Sequence, residues 1–248
     1  MTDPHPSESD MTSPAPEAGT ADQDPPVAEK AARTIQYRIA PDVVVMPNVE
    51  GGATAESIHA LRTHLIAKHI REGRRGLAVC TADRESGGVF VAVNLAVSLS
   101  QAGVRTLLID SDMRAPEVHW HITPSEEVPS LRQWLSNEHM PISDAIQEEI
   151  LPNLSVIFSG GRAPDAQDML AGPRFNQLID LCLRNYEVTI VATPPTSGCA
   201  DARRVASVLR YAMVVARKDV TFVSEVSTLV SELTADGARV IGSVFNAV

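Results

Sequence analysis

From Leu77 to Asp110 the chain reads strand, loop, helix, strand, and no other stretch restricts the fold so strongly. Leu77-Ala-Val-Cys-Thr81 is a compact apolar run. A polar loop from Ala82 to Gly88 follows, then an amphipathic stretch from Val89 to Ala102 stopped by Gly103. Thr106-Leu-Leu-Ile109 is a second apolar run, and Asp110 ends it. Two strands joined through a helix lie parallel, and a parallel sheet is stable only with both faces covered. The predicted fold is therefore α/β, a three-layer sandwich with a mostly parallel central sheet.

The remainder repeats the alternation. Val43–Met46 is an apolar run predicted as an edge strand, and Thr54 to Glu72 as a helix, with Ile58, Leu61, Leu65 and Ile70 near helical spacing. Helices near Leu131–Leu135 and Ile142–Ile150 precede a strand at Leu154–Phe158. Two more, near Ala166–Leu170 and Arg174–Leu183, lead to the strand Val188–Ala192, which stops at Thr193-Pro-Pro195. After a helix at Ala202–Leu209, strands at Ala212–Ala216 and Val240–Val244 flank a helix at Phe222–Ala235. His119 and His121 alternate around Trp120 as on a strand edge or loop.

Charge divides the chain. The first thirty residues hold seven acids against the single base Lys30, with six prolines and no aromatic residue. Such a segment buries too little apolar surface to offset ordering, so residues 1–33 are predicted as a disordered acidic tail and 34–248 as one domain. The body is mildly acidic and has no basic run, which argues against a nucleic-acid footprint. No uncharged apolar stretch is long enough to span a bilayer, and the acidic start is unlike a signal peptide. Cys80, Cys182 and Cys199 are too few and too scattered for a disulfide framework or a zinc site, and the histidines form no ligand set. A reducing cytoplasm is the expected compartment.

In an open parallel sheet, ligands bind beyond the carboxyl ends of the strands. The loop Thr81–Gly88 is the expected place. A working phosphate loop there reads GxxxxGK[ST]: backbone amides cradle the phosphates, the lysine meets the β/γ-phosphates and the hydroxyl ligates Mg²⁺. Here Gly87-Gly88-Val89-Phe90 stands where Gly-Lys-Ser-Thr would be, and Glu85 replaces a loop glycine. Asp83 adds a second carboxylate, which Arg84 partly offsets. Lysine is scarce throughout, with only Lys68 and Lys218 in the body.

Residues 50 to 248 resemble the cytoplasmic domain of bacterial tyrosine kinases of capsular and exopolysaccharide systems, P-loop NTPase-like proteins of the deviant-Walker class that includes MinD and ParA. The resemblance rests on Asn94-Leu95-Ala96 after the loop and on the run Leu107-Leu-Ile-Asp110-Ser-Asp112-Met-Arg114-Ala-Pro116 with His119 beyond it. It also rests on Ala192-Thr193-Pro194-Pro195, on Gly242 to Asn246, and on Glu56, His59 and Arg62 of a Glu-x-x-Arg-x-x-Arg helix that has lost its first arginine. It implies that Asp110 and Asp112 match the acidic pair which, in active members, holds ATP and Mg²⁺ with the Walker A lysine and serine and the Walker B aspartate. The last three positions are Gly88, Val89 and Ala192 here. Active members also carry a terminal tyrosine cluster, whereas the tyrosines here are Tyr37, Tyr186 and Tyr211.

The expectation is a pseudokinase, a scaffold or regulator of exopolysaccharide synthesis and export without catalytic or metal-binding residues. Its degenerate pocket comprises Arg84, Gly87, Gly88, Asp110 and Asp112. No cofactor is expected, with weak ATP or ADP binding at Arg84 and Arg114 left open. The structural alternative for Asp110 and Asp112 is that they cap strand ends and bond to Arg114 or to neighbouring amides. Val89 and Phe90 are expected to fill the old pocket. The family role implies a membrane polysaccharide co-polymerase, like Wzz or the N-terminal part of Wzc, as partner. Contact with the inner membrane would then be peripheral and indirect. Homo- or hetero-oligomers through the helix carrying Glu56, His59 and Arg62 are implied as well. The alternatives are an active ATPase or protein-tyrosine autokinase with unusual ATP ligands, and a MinD/ParA-like nucleotide-switched positioning protein.

Overall fold

The computed structural model describes residues 1–2 and 35–247, so the expected tail lies almost wholly outside the described residues. The chain separates into two units, Met1–Thr34 and Ile35–Val248. In the second, β1 (Tyr37–Ile39) and α1 (Gly52–Lys68) lead into β2 (Gly76–Thr81), α2 (Gly88–Gln101) and β3 (Thr106–Asp110). The chain continues through α3 (Val118–His121), β4 (Ile122–Pro124), α4 (Leu131–Ser136), α5 (Ile142–Ala145), β5 (Gln147–Leu151) and β6 (Leu154–Ile157). Then come α6 (Ala166–Ala171), α7 (Pro173–Asn185), β7 (Val188–Ala192), α8 (Asp201–Leu209), β8 (Tyr211–Arg217), α9 (Val223–Ala235) and β9 (Arg239–Asn246).

Seven strands form the main sheet in the order β5-β6-β3-β7-β2-β8-β9, parallel except for the β5–β6 pair. Every residue of β2, β3 and β7 is buried, as the unbroken apolar runs require. Strand periodicity sends alternate side chains to opposite faces. Ala78, Cys80, Leu107 and Ile109 enter one core, with Phe175 and Leu178 of α7 and Val205 of α8. Leu77, Val79 and Leu108 enter the other, with α2 and with Ile58 and Leu65 of α1. Helix α2 is buried at every position from Val91 to Ser100, because the sheet covers one side and α1 the other.

Three expectations are corrected. Val43–Met46 forms turns, with the Val43 and Met46 amides donating to Ala40 and Val43 carbonyls, while Val43 and Val45 fill the α2 side of the core. The strand of that region is β1, which pairs antiparallel with β4 in a separate ribbon. Ile142–Ile150 is helical only to Ala145, and Gln147–Leu151 then pairs with β6 as an antiparallel edge. Trp120 and its flanking histidines lie on the single turn α3 rather than on a strand or loop.

Candidate functional site: the crevice beyond β2, β3 and β7

The chain leaves β2 for β3 on one side and reaches β8 on the other, so the sheet changes winding direction beside β2. A crevice forms at such a point, at the carboxyl ends of the strands. The loop after β2 closes around its own carboxylate. Asp83, in extended conformation, caps a short 3₁₀ turn at Arg84–Ser86. Its Oδ1 accepts the Ser86 N–H at 2.8 Å, and its Oδ2 accepts the Ser86 hydroxyl at 2.8 Å and the Thr221 hydroxyl at 3.2 Å. Gly87 follows in the left-handed region at φ +74°, where a side chain would also run into the Asn246 amide. That amide donates to the Ser86 carbonyl at 3.2 Å. Gly88 opens α2, and a Cβ there would lie 2.6 Å from Cγ2 of Thr81.

At the end of β3, Asp110 is fully buried and accepts the Asp112 N–H at 3.0 Å and the Val118 N–H at 3.2 Å. Burial pushes its carboxyl up to about 7, and the like charge of Asp112 adds to that, against the pull of the two amides. Asp112 accepts the Arg114 and Ala115 amides, each at 2.9 Å, on Oδ1. Its Oδ2 takes Arg84 Nη2 at 2.9 Å. The other Arg84 amino group binds Glu117 at 2.6 Å and the Ala115 carbonyl at 3.0 Å. Burial alone would lower the Arg84 guanidinium, but the Glu117 and Asp112 bonds outweigh it and raise it. Ala192 ends β7 in register with Asp110 and is buried; its carbonyl accepts the amide and hydroxyl of Ser111 at 3.0 and 2.8 Å.

The structure brings Arg84 onto Asp112 and sets Asp110 beside them, while Gly87 and Gly88 shape the loop. Arg114 turns away, its Nε donating to the buried Asp201 of α8 at 2.8 Å. Only its backbone serves Asp112. Val89 and Phe90 are half-buried against the α2 side of the core, and Phe90 lines a cavity with Thr54 and Val244, so they do not plug the loop. Asp83 does. Its sequence position was plain, but its partner Thr221 lies in the turn after β8, and Asn246, which binds the Ser86 carbonyl, ends β9; no local spacing announces either.

On α1, His59 Nδ1 lies 3.0 Å from Ser98 Oγ and Arg62 reaches Ser98 at 3.3 to 3.4 Å, so both engage α2 of their own chain while Glu56 is exposed. Cys80 and Cys182 are buried, their thiols pushed up to about 12 by burial, and behave as small apolar groups. Among the described residues no helix is long and apolar enough to cross a membrane.

A winding crevice of this kind, opening on a loop–helix N-terminus, defines a P-loop NTPase-like α/β domain. A family model described as an AAA domain matches residues 81–218, more than half of the chain. The CapB protein of Staphylococcus aureus is 28% identical over 192 residues, covering 77% of this chain and 83% of CapB. The tyrosine-protein kinase wzc of Salmonella typhi is 29% identical over 193 residues, covering 78% of this chain and only 27% of that kinase. The solved kinase domain of the Escherichia coli tyrosine kinase ETK superposes with a TM-score of 0.75 at 26% identity, covering 83% of this chain and 80% of that one. The chain belongs to the AAA domain family, as an ATPase-fold domain of the bacterial tyrosine-kinase type.

Proposed function

We propose that this domain is a non-catalytic member of the tyrosine-kinase type, a pseudokinase that acts as a scaffold or regulator in exopolysaccharide synthesis or export. The observation that carries this reading is the Asp83 carboxylate seated in the loop, bonded to Ser86 and Thr221. An anionic side chain occupies the loop amide that a phosphate loop of this design would offer to nucleotide, and like charge repels a triphosphate. The donor set fits Mg²⁺–ATP poorly. Asp110 and Asp112 are bonded to backbone amides and Arg84, and Val89 and Ala192 have no side-chain oxygen. Magnesium takes oxygen ligands in near-octahedral geometry, and phosphoryl transfer depends on positioning and charge neutralisation.

Without turnover, the module works through contacts. Phe222 and Val223, exposed at 70% and 84% beside the loop, supply apolar surface for a protein partner. The family role points to the cytoplasmic face of a membrane polysaccharide co-polymerase, with membrane attachment through that partner. A second reading is favoured by the names of wzc and ETK, both tyrosine kinases: an active ATPase or protein-tyrosine autokinase using other ATP ligands. Calorimetric titration with ATP and ADP, with and without Mg²⁺, and with hydrolysis followed on the same sample, separates the two. The scaffold reading expects neither heat nor hydrolysis up to millimolar nucleotide. Magnesium-dependent binding at micromolar affinity would return the domain to the kinases.

A further inference from the structure

The end of the sheet opposite the crevice gathers cations that no motif accounts for. In a parallel sheet all strands begin at one edge, and here arginines stand where β2, β3, β8 and β9 begin, with Glu187 before β7. Arg74 and Arg75 precede β2, Arg105 precedes β3, Arg210 precedes β8, and Arg239 opens β9. The backbone stitches them together: the Arg239 amide donates to the Arg210 carbonyl at 2.8 Å, and Thr189 donates to the Arg75 carbonyl at 2.7 Å. Lys68 and Arg71, at the end of α1 and in the turn after it, extend the surface.

Lys68, Arg71, Arg210 and Arg239 are exposed, and no hydrogen bond or ion pair among the described residues engages their side chains. Toward the β5 edge, Glu148 and Glu149 line a cavity with Arg105, and Glu187 accepts the Arg105 N–H at 2.9 Å; toward β9 the nearby acids are paired. Glu72 pairs with Arg74, and Arg203 holds both Glu232 and Asp236. Between Lys68, Arg74 and Arg239 lies a cavity of about 350 Å³, also lined by His64, His69 and the Glu72 that pairs with Arg74. The carboxyl edge of the sheet carries Asp83, Glu85, Asp110, Asp112 and Glu117, with Arg84 and Arg217 among them.

We propose that this basic end docks directly on a bilayer containing anionic lipid, with a phosphate headgroup seated between Lys68, Arg74 and Arg239. Clusters of four to eight Lys and Arg bind such surfaces through Coulomb attraction within about a Debye length. The cations spread across the edges of adjacent strands, a broad surface rather than a groove. Of the aromatic rings among them, Tyr211 is covered by Arg74 and His69, and Tyr186 is buried under Arg105, so neither offers a stacking platform for bases. Docking this way turns the crevice and the apolar Phe222–Val223 corner away from the lipid. The inference is independent of whether the crevice hydrolyses ATP.

Co-sedimentation of the full chain with vesicles of phosphatidylglycerol and phosphatidylcholine, against pure phosphatidylcholine, tests it, with duplex DNA in a parallel arm. Binding to the mixed vesicles alone, abolished by high salt, is expected. Each cation is worth about five-fold at a charged surface, so K68Q/R71Q/R239Q, which removes three, lowers the partition coefficient on the order of 100-fold. R162E, exposed near the opposite end, leaves it unchanged. Thermal melts establish that the triple variant is folded. Should it not be, K68Q and R239Q singly carry the test at about five-fold each. Equal binding to neutral vesicles, wild-type partition of the basic-edge variants, or tighter binding to DNA that the same variants abolish, overturns the proposal.

Discussion

Asp110 makes the stability of this domain depend on pH in a direction unusual for a carboxylate. The folded protein holds its proton to about 7, because burial removes solvation from the charge faster than the Asp112 and Val118 amides restore it. In the unfolded chain the group titrates near the ordinary 3.8. Between these values the folded state binds more protons than the unfolded one. Its contribution to stability is therefore complete below about pH 4 and is lost as pH rises through 7. At about 1.4 kcal/mol per unit, the loss is on the order of 4 kcal/mol, a large share of a typical domain's stability of about 5–15 kcal/mol. Asp110→Asn removes the titration. The new amide faces one backbone N–H it cannot accept from, a pH-independent cost of about 1–3 kcal/mol. The informative quantity is thus the slope and not the absolute value. Urea unfolding of wild type and D110N at intervals from pH 4 to 8 gives a difference curve in which other titrating groups cancel. Wild type is expected to lose on the order of 4 kcal/mol of unfolding free energy relative to D110N across that window. Parallel curves would refute the reasoning. A difference of opposite sign would mean that the two amides win over burial and hold Asp110 ionised.

Asp83→Ala removes the acceptor of three hydrogen bonds in the loop, so a loss of about 1–3 kcal/mol is expected by chemical denaturation. Asp83→Asn, which can still accept from the Ser86 N–H, should lose less, and equal losses would show that the carboxylate does not organise the turn. Gly87→Ala meets both a left-handed φ of +74° and the Asn246 amide, and is expected to cost about 1–3 kcal/mol, read as a fall in Tm. An unchanged Tm would place the loop in another conformation in solution.

Much of the fold is legible in the chain itself. The runs Leu77–Thr81, Thr106–Ile109 and Val188–Ala192 are apolar without interruption because the sheet buries both faces there, and the helix between the first two ends at a glycine. That pattern is local, since it follows from which side chains one strand sends to each face. Two segments escaped it because pairing and turns, not periodicity, decide them. Ile142, Ile146 and Ile150 recur near helical spacing, yet Gln147–Leu151 gains the hydrogen bonds of a sheet edge from β6. Val43–Met46 looks like a strand, yet it folds into turns that place Val43 and Val45 against α2. The crevice divides in the same way. Gly88, Val89, Ala192 and the Asp110–Asp112 pair stand out in the sequence by their positions after apolar runs. What the carboxylates do was decided only by the fold, because Thr221, in the turn after β8, and Asn246, at the end of β9, reach Asp83 and its loop from 138 and 160 residues away from the groups they bind. A side chain's neighbours across a parallel sheet are set by strand order, and strand order is a property of the whole chain.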